Sequence, residues 1–284
     1  MTRMRKATRV SAAVAGLTLI FVVTGCDKLK SRDNINQGIA AFKVNKFADA
    51  VDHFKTAIAL DPTNANARVY LATAYMQQWI PGADSPENNQ MAARAKEEFL
   101  KVIEQDPNNT NALASLASLA YNQATNLPSD KKMAMFAEAS DWYHKLIQAD
   151  PNSKDAYYSL GVIAWNKWYP AYQLALLNLK MKPEDPGIIK DKKVKEELKA
   201  QYTPVIDEGM QDMAKALEID KEYEDAMTYT NLLIREKAVL LDSPDEYKKQ
   251  IEIADGWLQK VLDTKKAKAA RTPTNNGIVA EPSK

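Results

Sequence analysis

Few residues in this 284-residue chain are of types that do chemistry: one cysteine, Cys26, and two histidines, His53 and His144. Each histidine stands alone on a helical stretch, so a surface or packing role is expected rather than metal ligation. The chain has no Gly-rich phosphate loop, no Ser-centred nucleophile elbow and no His-Glu-x-x-His pair. The acid-rich runs Lys96-Glu97-Glu98 and Lys195-Glu196-Glu197 read as solvated helix faces. The expectation is therefore no catalytic residue, no metal and no cofactor. That leaves Cys26. A single thiol cannot close a disulfide within its own chain, and an unpaired one is a liability in an oxidising compartment. Used up as a thioether, it is not.

The residues before Cys26 say what would use it. Arg3, Arg5, Lys6 and Arg9 form a basic start without acids, and residues 10–25 are apolar or small, ending Val23-Thr24-Gly25. A basic region, a short apolar region and small residues before a cut site make an export signal. The stretch falls short of the roughly 20 apolar residues a membrane-spanning helix wants. Its ending resembles the bacterial lipobox. That resemblance implies cleavage between Gly25 and Cys26, a diacylglycerol on the Cys26 sulfur and acylation of the new amino terminus. Removing residues 1–25 takes away four basic residues. It leaves 34 Lys+Arg against 37 Asp+Glu in 259 residues, a formal −3. Such a chain has no broad basic field, and nucleic acid is not expected as a ligand.

The elements that would carry a function follow from periodicity. Ala50, Phe54, Ala57 and Pro62 are spaced four, three and five apart, as are Ala95, Phe99, Val102 and Pro107. Ala139, Tyr143, Leu146 and Pro151 repeat the steps; Gly209, Met213 and Ala216 follow with Lys221 in the Pro slot; Ala254, Leu258 and Val261 end the series. Steps of three and four share a helix face, and proline ends each helix. A second small residue recurs 22 positions later: Ala72, Ala117, Gly161 and, in the last copy, Asn231. With Gly38 placed 12 before Ala50, the first copy measures 34 residues. This arrangement resembles the tetratricopeptide repeat (TPR). The resemblance implies an all-α fold: a right-handed superhelix of about five TPR-type antiparallel hairpins, with units near 31–64, 65–109, 110–153, 154–223 and 224–263.

All inserts relative to a 34-residue unit fall between the first and second helix of a repeat. Three are 10 or 11 residues and are expected to lengthen both helices, with turns at Pro81-Gly82, Leu127-Pro128 and Ser243-Pro244. The fourth, 165–200, reads as an aromatic start, a short helix over 171–180, a breaker-rich loop at 182–187 and a charged helix from about 189, kinked at Pro204. Residues 26–31 read as the lipidated Cys and a short tether, and 264–284 as a disordered tail.

In TPR proteins the first helices line a groove that binds peptides. Carried onto this chain, the resemblance implies groove positions Val69, Thr73 and Met76, then Tyr121, then Tyr158, Val162 and Trp165, and Arg235. Trp168, Tyr169 and Tyr172 form a candidate patch on the insert, either an interaction site or an anchor for it. The functional expectation is a membrane-anchored interaction scaffold in the bacterial cell envelope, lipid-held at Cys26 with its repeats in the periplasm. Its partners would be envelope proteins or peptides, in the assembly of an envelope complex. The alternative is an envelope ligand-binding protein or enzyme with 165–200 as a lid.

Overall fold

The computed structural model describes residues 26–271, apart from 126, 183 and 185. Residues 1–25, expected to be an export signal, and residues 272–284 lie outside the described residues. All regular structure among the described residues is α-helical, and the chain divides at Ala149/Asp150 into two units.

The first unit contains α1 (26–43), α2 (Phe47–Leu60), α3 (Ala65–Gln78), α4 (Pro86–Gln105), α5 (Thr110–Ala124) and α6 (Ser129–Ala149). From α2 to α6 neighbouring helices in sequence pack together, most extensively α5 with α6 and α3 with α4. The repeat residues are the reason: Ala50, Phe54, Ala57, Ala95, Phe99 and Val102 are all buried. Gly38 lets α1 approach α2, since a β-carbon there would sit 2.5 Å from the Phe54 ring. Burying a ring of that size contributes roughly 2–3 kcal/mol, and the glycine makes the burial possible.

The turns between repeats are one device used four times. Asp61, Asp106, Asp150 and Asp220 each accept, through Oδ1, the backbone N–H two residues on. Each backbone carbonyl also takes the N–H of the third residue on. Asx turns of this kind end one helix and launch the next. The carboxylate is constant, which explains how Lys221 can occupy the proline slot. Asn64 and Asn109 then cap α3 and α5.

The second unit contains α7 (Lys154–Asn178), α8 (Lys192–Ile219), α9 (Glu224–Ala238) and α10 (Pro244–Arg271). Consecutive helices pack together, and α7 also meets α9. Three features differ from expectation. The separate helix over 171–180 is the end of α7, which runs unbroken through Pro170. That proline is exposed, so its ring forfeits one backbone bond while Trp168, Tyr172, Ala175 and Leu176 stay buried. The long insert is therefore the shorter ones writ large: two helix extensions and a connecting loop. Second, residues 26–31 are helical, not a tether, and Ser31 is buried with its hydroxyl donating to Ala57 O at 2.8 Å. Third, α10 continues past 264 to Arg271. Arg271 holds both Glu222 carboxylate oxygens, at 2.8 and 2.9 Å, and Lys268 pairs with Glu224.

The fifth repeat departs from the pattern with polar residues that are satisfied locally. Buried Asn231 donates to Ala254 O across the α9–α10 contact, and Thr230 donates to Ala226 O. Leu258, in a core slot by its spacing, is 50% exposed. Within the second unit α10 packs chiefly on α9.

Candidate partner-binding groove and a buried carboxyl

The candidate groove residues of the first unit form a modest surface. Val69, Thr73 and Met76 on α3 are half-buried, with Val69 and Met76 leaning on the core and the Thr73 hydroxyl tied to Val69 O. Tyr121 on α5 is also half-buried, its ring 5.7 Å from that of Phe136.

The second unit is different. Aromatic rings run in an unbroken chain along α7 and α9. Tyr158 lies 5.1 Å from Tyr223 and 5.7 Å from Tyr229, and Trp165 lies 5.5 Å from Tyr229. Trp165 stacks on Tyr169 at 4.4 Å, and Tyr169 meets Tyr172 at 6.3 Å. Trp168 closes the series against Tyr172 and Tyr202, at 5.5 and 5.4 Å. Tyr223 donates to Asp155 Oδ1 at 2.8 Å, and burial holds its phenol well above the usual range.

Three predicted positions are corrected. Trp168 is fully buried, and Tyr172 and Val162 nearly so, so none offers a surface. Trp168 packs on Tyr202 of α8, and burial also raises the Tyr172 pKa. The half-buried members of the chain are Tyr158, Trp165, Tyr169, Tyr223 and Tyr229. Arg235 is half-buried and ion-paired with Asp255, so its charge is largely answered.

Sequence reasoning missed Tyr223 and Tyr229, whose role appears only where α7 meets α9. It also missed Glu236, the least exposed carboxylate of the described chain at 5%. Glu236 accepts from Trp165 Nε1 at 3.1 Å through Oε1, while Oε2 has no partner. Burial pushes its pKa up to about 7, against a partly opposing effect of the Trp165 and Trp168 indoles. The Trp168 N–H favours the charged form only from a distance, since it makes no hydrogen bond of normal geometry. Asp212 on α8 is likewise raised to about 7, by burial and then by Glu208. No sequence signal marks Glu236, and for Asp212 only the like-charged Glu208 one turn back does, because burial, the larger effect on both, comes from packing.

Cys26 is an exposed free thiol at the start of the described chain. His53 is half-buried and His144 exposed. Among the described residues no group of three or more His, Cys, Asp or Glu could hold a metal ion, and no helix is long and apolar enough to cross a membrane.

Antiparallel hairpins closed by a repeated Asx turn, with small residues at helix crossings, define a helical-repeat protein. Residues 38–78 match the TPR repeat family. No curated protein matches the chain. A solved MamA structure is similar in fold, with 15% identity, a TM-score of 0.50, and coverage of 85% of this chain and 95% of its own. MamA from Desulfovibrio magneticus RS-1 gives 15% identity and TM-score 0.49 over 84% and 96%. A thermophilic TPR protein of Thermus thermophilus gives 12% and 0.44 over 84% and 97%. The likeness to the first of these structures shows a fold of stacked helical hairpins.

Proposed function

We propose that this chain is a lipid-anchored TPR scaffold of the bacterial envelope, tethered at Cys26 and recognising envelope proteins or peptides in the assembly of an envelope complex. The observation that carries the recognition half is the run of half-buried rings Tyr158, Tyr229, Trp165 and Tyr169, at 4.4–5.7 Å spacing. Such a surface fits an apolar peptide or a partner's helix, because rigid aromatics contribute large contact area at low entropic cost. The anchoring half is supported by the basic start, the apolar run and the exposed Cys26 thiol after Val23-Thr24-Gly25. The lid alternative has less support. Ile189 is buried and donates to Val239 O at 2.8 Å, and Lys195 and Lys199 both bind Asp242, so the insert is tied down at its base.

Two variants test the two halves separately. Cys26→Ser should abolish both labelling by a fatty-acid probe and removal of residues 1–25; continued processing and membrane retention would refute the anchor. A photo-crosslinker at Tyr169 should capture a partner that is lost with Tyr158→Ala, and capture unchanged by that substitution would refute the groove.

A further inference from the structure

The tip of the long hairpin carries a surface that the groove does not use. α7 ends with Leu174 and Leu177 on one face, 58% and 74% exposed, while Leu176 on the opposite face is buried. Residues three apart are neighbours on a helix, so the two leucines form one apolar knob. Single exposed leucines are ordinary. This pair borders an open recess of about 650 Å³ whose lining includes Gln173, Lys180 and Met181.

Cations lie at the same end of the hairpin as the knob. Lys180 and Lys182 follow it, and because α7 and α8 pack as consecutive helices, the start of α8 lies at the same end, with Lys190, Lys192 and Lys193. All five lysines are exposed, and among the described residues none of them forms an ion pair. Three acids stand among them in sequence, so the segment 174–193 carries a formal +2, from five lysines against Glu184, Asp185 and Asp191. Asp191 is occupied as the cap of α8, accepting from Val194 N. The two ends of the loop are bonded to the helices: Lys180 adopts a left-handed conformation with φ of 52°, Met181 N bonds to Leu176 O, and Ile189 N to Val239 O. Lys180 thus lies beside the leucines, and the other four lysines belong to the loop and helix start at the same end of the hairpin.

We propose that this tip docks on an anionic phospholipid surface, with Leu174 and Leu177 entering the headgroup boundary and the lysines facing lipid phosphates. Exposed apolar residues within a basic rim are what such a surface rewards, since apolar burial and charge attraction act together. An acidic protein would satisfy the lysines but leave the leucines without a role. The contact is independent of acylation at Cys26.

The test uses the full chain carrying Cys26→Ser, so that no acyl group can attach. Its flotation is measured with vesicles of phosphatidylcholine alone and of phosphatidylcholine mixed with phosphatidylglycerol. The parent should prefer the anionic vesicles at least tenfold, with the preference fading in salt. Lys180→Gln/Lys182→Gln/Lys190→Gln should weaken anionic binding about a hundredfold, at roughly fivefold per lysine. Leu174→Ser/Leu177→Ser should weaken it tenfold or more. Because residues 1–25 are themselves apolar, Leu177→Cys in the same background is labelled with an environment-sensitive dye, which should shift blue on anionic vesicles only. All substituted positions are exposed, so unchanged helical circular dichroism is the folding control. An unshifted dye, or variants that bind as the parent does, would overturn the proposal. So would a tip that captures a protein and leaves lipid untouched.

Discussion

Replacing Glu236 with glutamine should make the protein more stable at neutral and alkaline pH, although it removes a charged hydrogen-bond acceptor. The folded carboxyl has its pKa raised from 4.5 to about 7, chiefly by burial. Below pH 4.5 the acid is neutral whether the chain is folded or unfolded, and it costs nothing. Between 4.5 and 7 the unfolded chain ionises while the folded one resists, so stability falls with rising pH. At about 1.4 kcal/mol per unit, the loss above pH 7 amounts to about 3 kcal/mol. The groups facing Glu236 do not reverse the sign. Trp165 and Trp168 on α7 offer N–H dipoles, and Tyr172 a phenol that burial keeps protonated. Arg235, the cation next to it on α9, is paired with Asp255. Glutamine keeps an oxygen for the Trp165 N–H and has no proton to lose. Urea unfolding of wild type and Glu236→Gln from pH 5 to pH 8.5 should give near-equal stability at the acid end. The variant should be about 2–3 kcal/mol more stable at the alkaline end. Asp212, also raised to about 7, titrates in both proteins and cancels in the difference. A difference independent of pH, or a variant less stable at pH 8.5, would refute the account of Glu236 as a buried, unsatisfied carboxylate.

Asn88 organises the α3–α4 turn, donating to Ile80 O and Ala83 O and accepting from Ile80 N. Asn88→Ala should cost roughly 2–3 kcal/mol in thermal or urea unfolding, and Asn88→Asp more, since a carboxylate would face two carbonyls. The two glycines at the α7–α8 crossing should separate in the same assay. A β-carbon at Gly209 meets the Ala164 β-carbon at 2.6 Å, whereas one at Gly161 chiefly meets the flexible end of Met213. Gly209→Ala should therefore be the more damaging, by about 1–3 kcal/mol, and equal losses would contradict this packing.

The hairpins were legible because their causes are local and repeated. Phe54, Phe99 and Met213 recur at helical spacing, and Asp-containing turns stop the helices whether or not proline follows. The helix expected separately over 171–180 is continuous with α7 for a physical reason. Proline penalises a helix by local rules, but the burial of Trp168 and Tyr172 outweighs one lost bond on an exposed face. Leu258 differs in the opposite sense: its spacing says core, but α10 packs chiefly on α9 and leaves it half exposed.

The candidate site divides along the same line. Tyr158 and Trp165 were reached from the TPR resemblance, which implies groove positions on the first helix of each repeat. Tyr223, Tyr229 and Glu236 join them only where α9 and the turn before it meet α7, 65 to 78 residues further on than Tyr158 and linked to it by no local pattern. By itself, then, the sequence determined which helices form, where they turn and which small residues let them cross, since these depend on spacing and local chemistry. Only the tertiary structure decided which aromatics remain accessible, which acid is forced to hold its proton near neutrality, and that two leucines stay uncovered at the insert tip. Those depend on which surfaces face one another, and a linear pattern does not encode that.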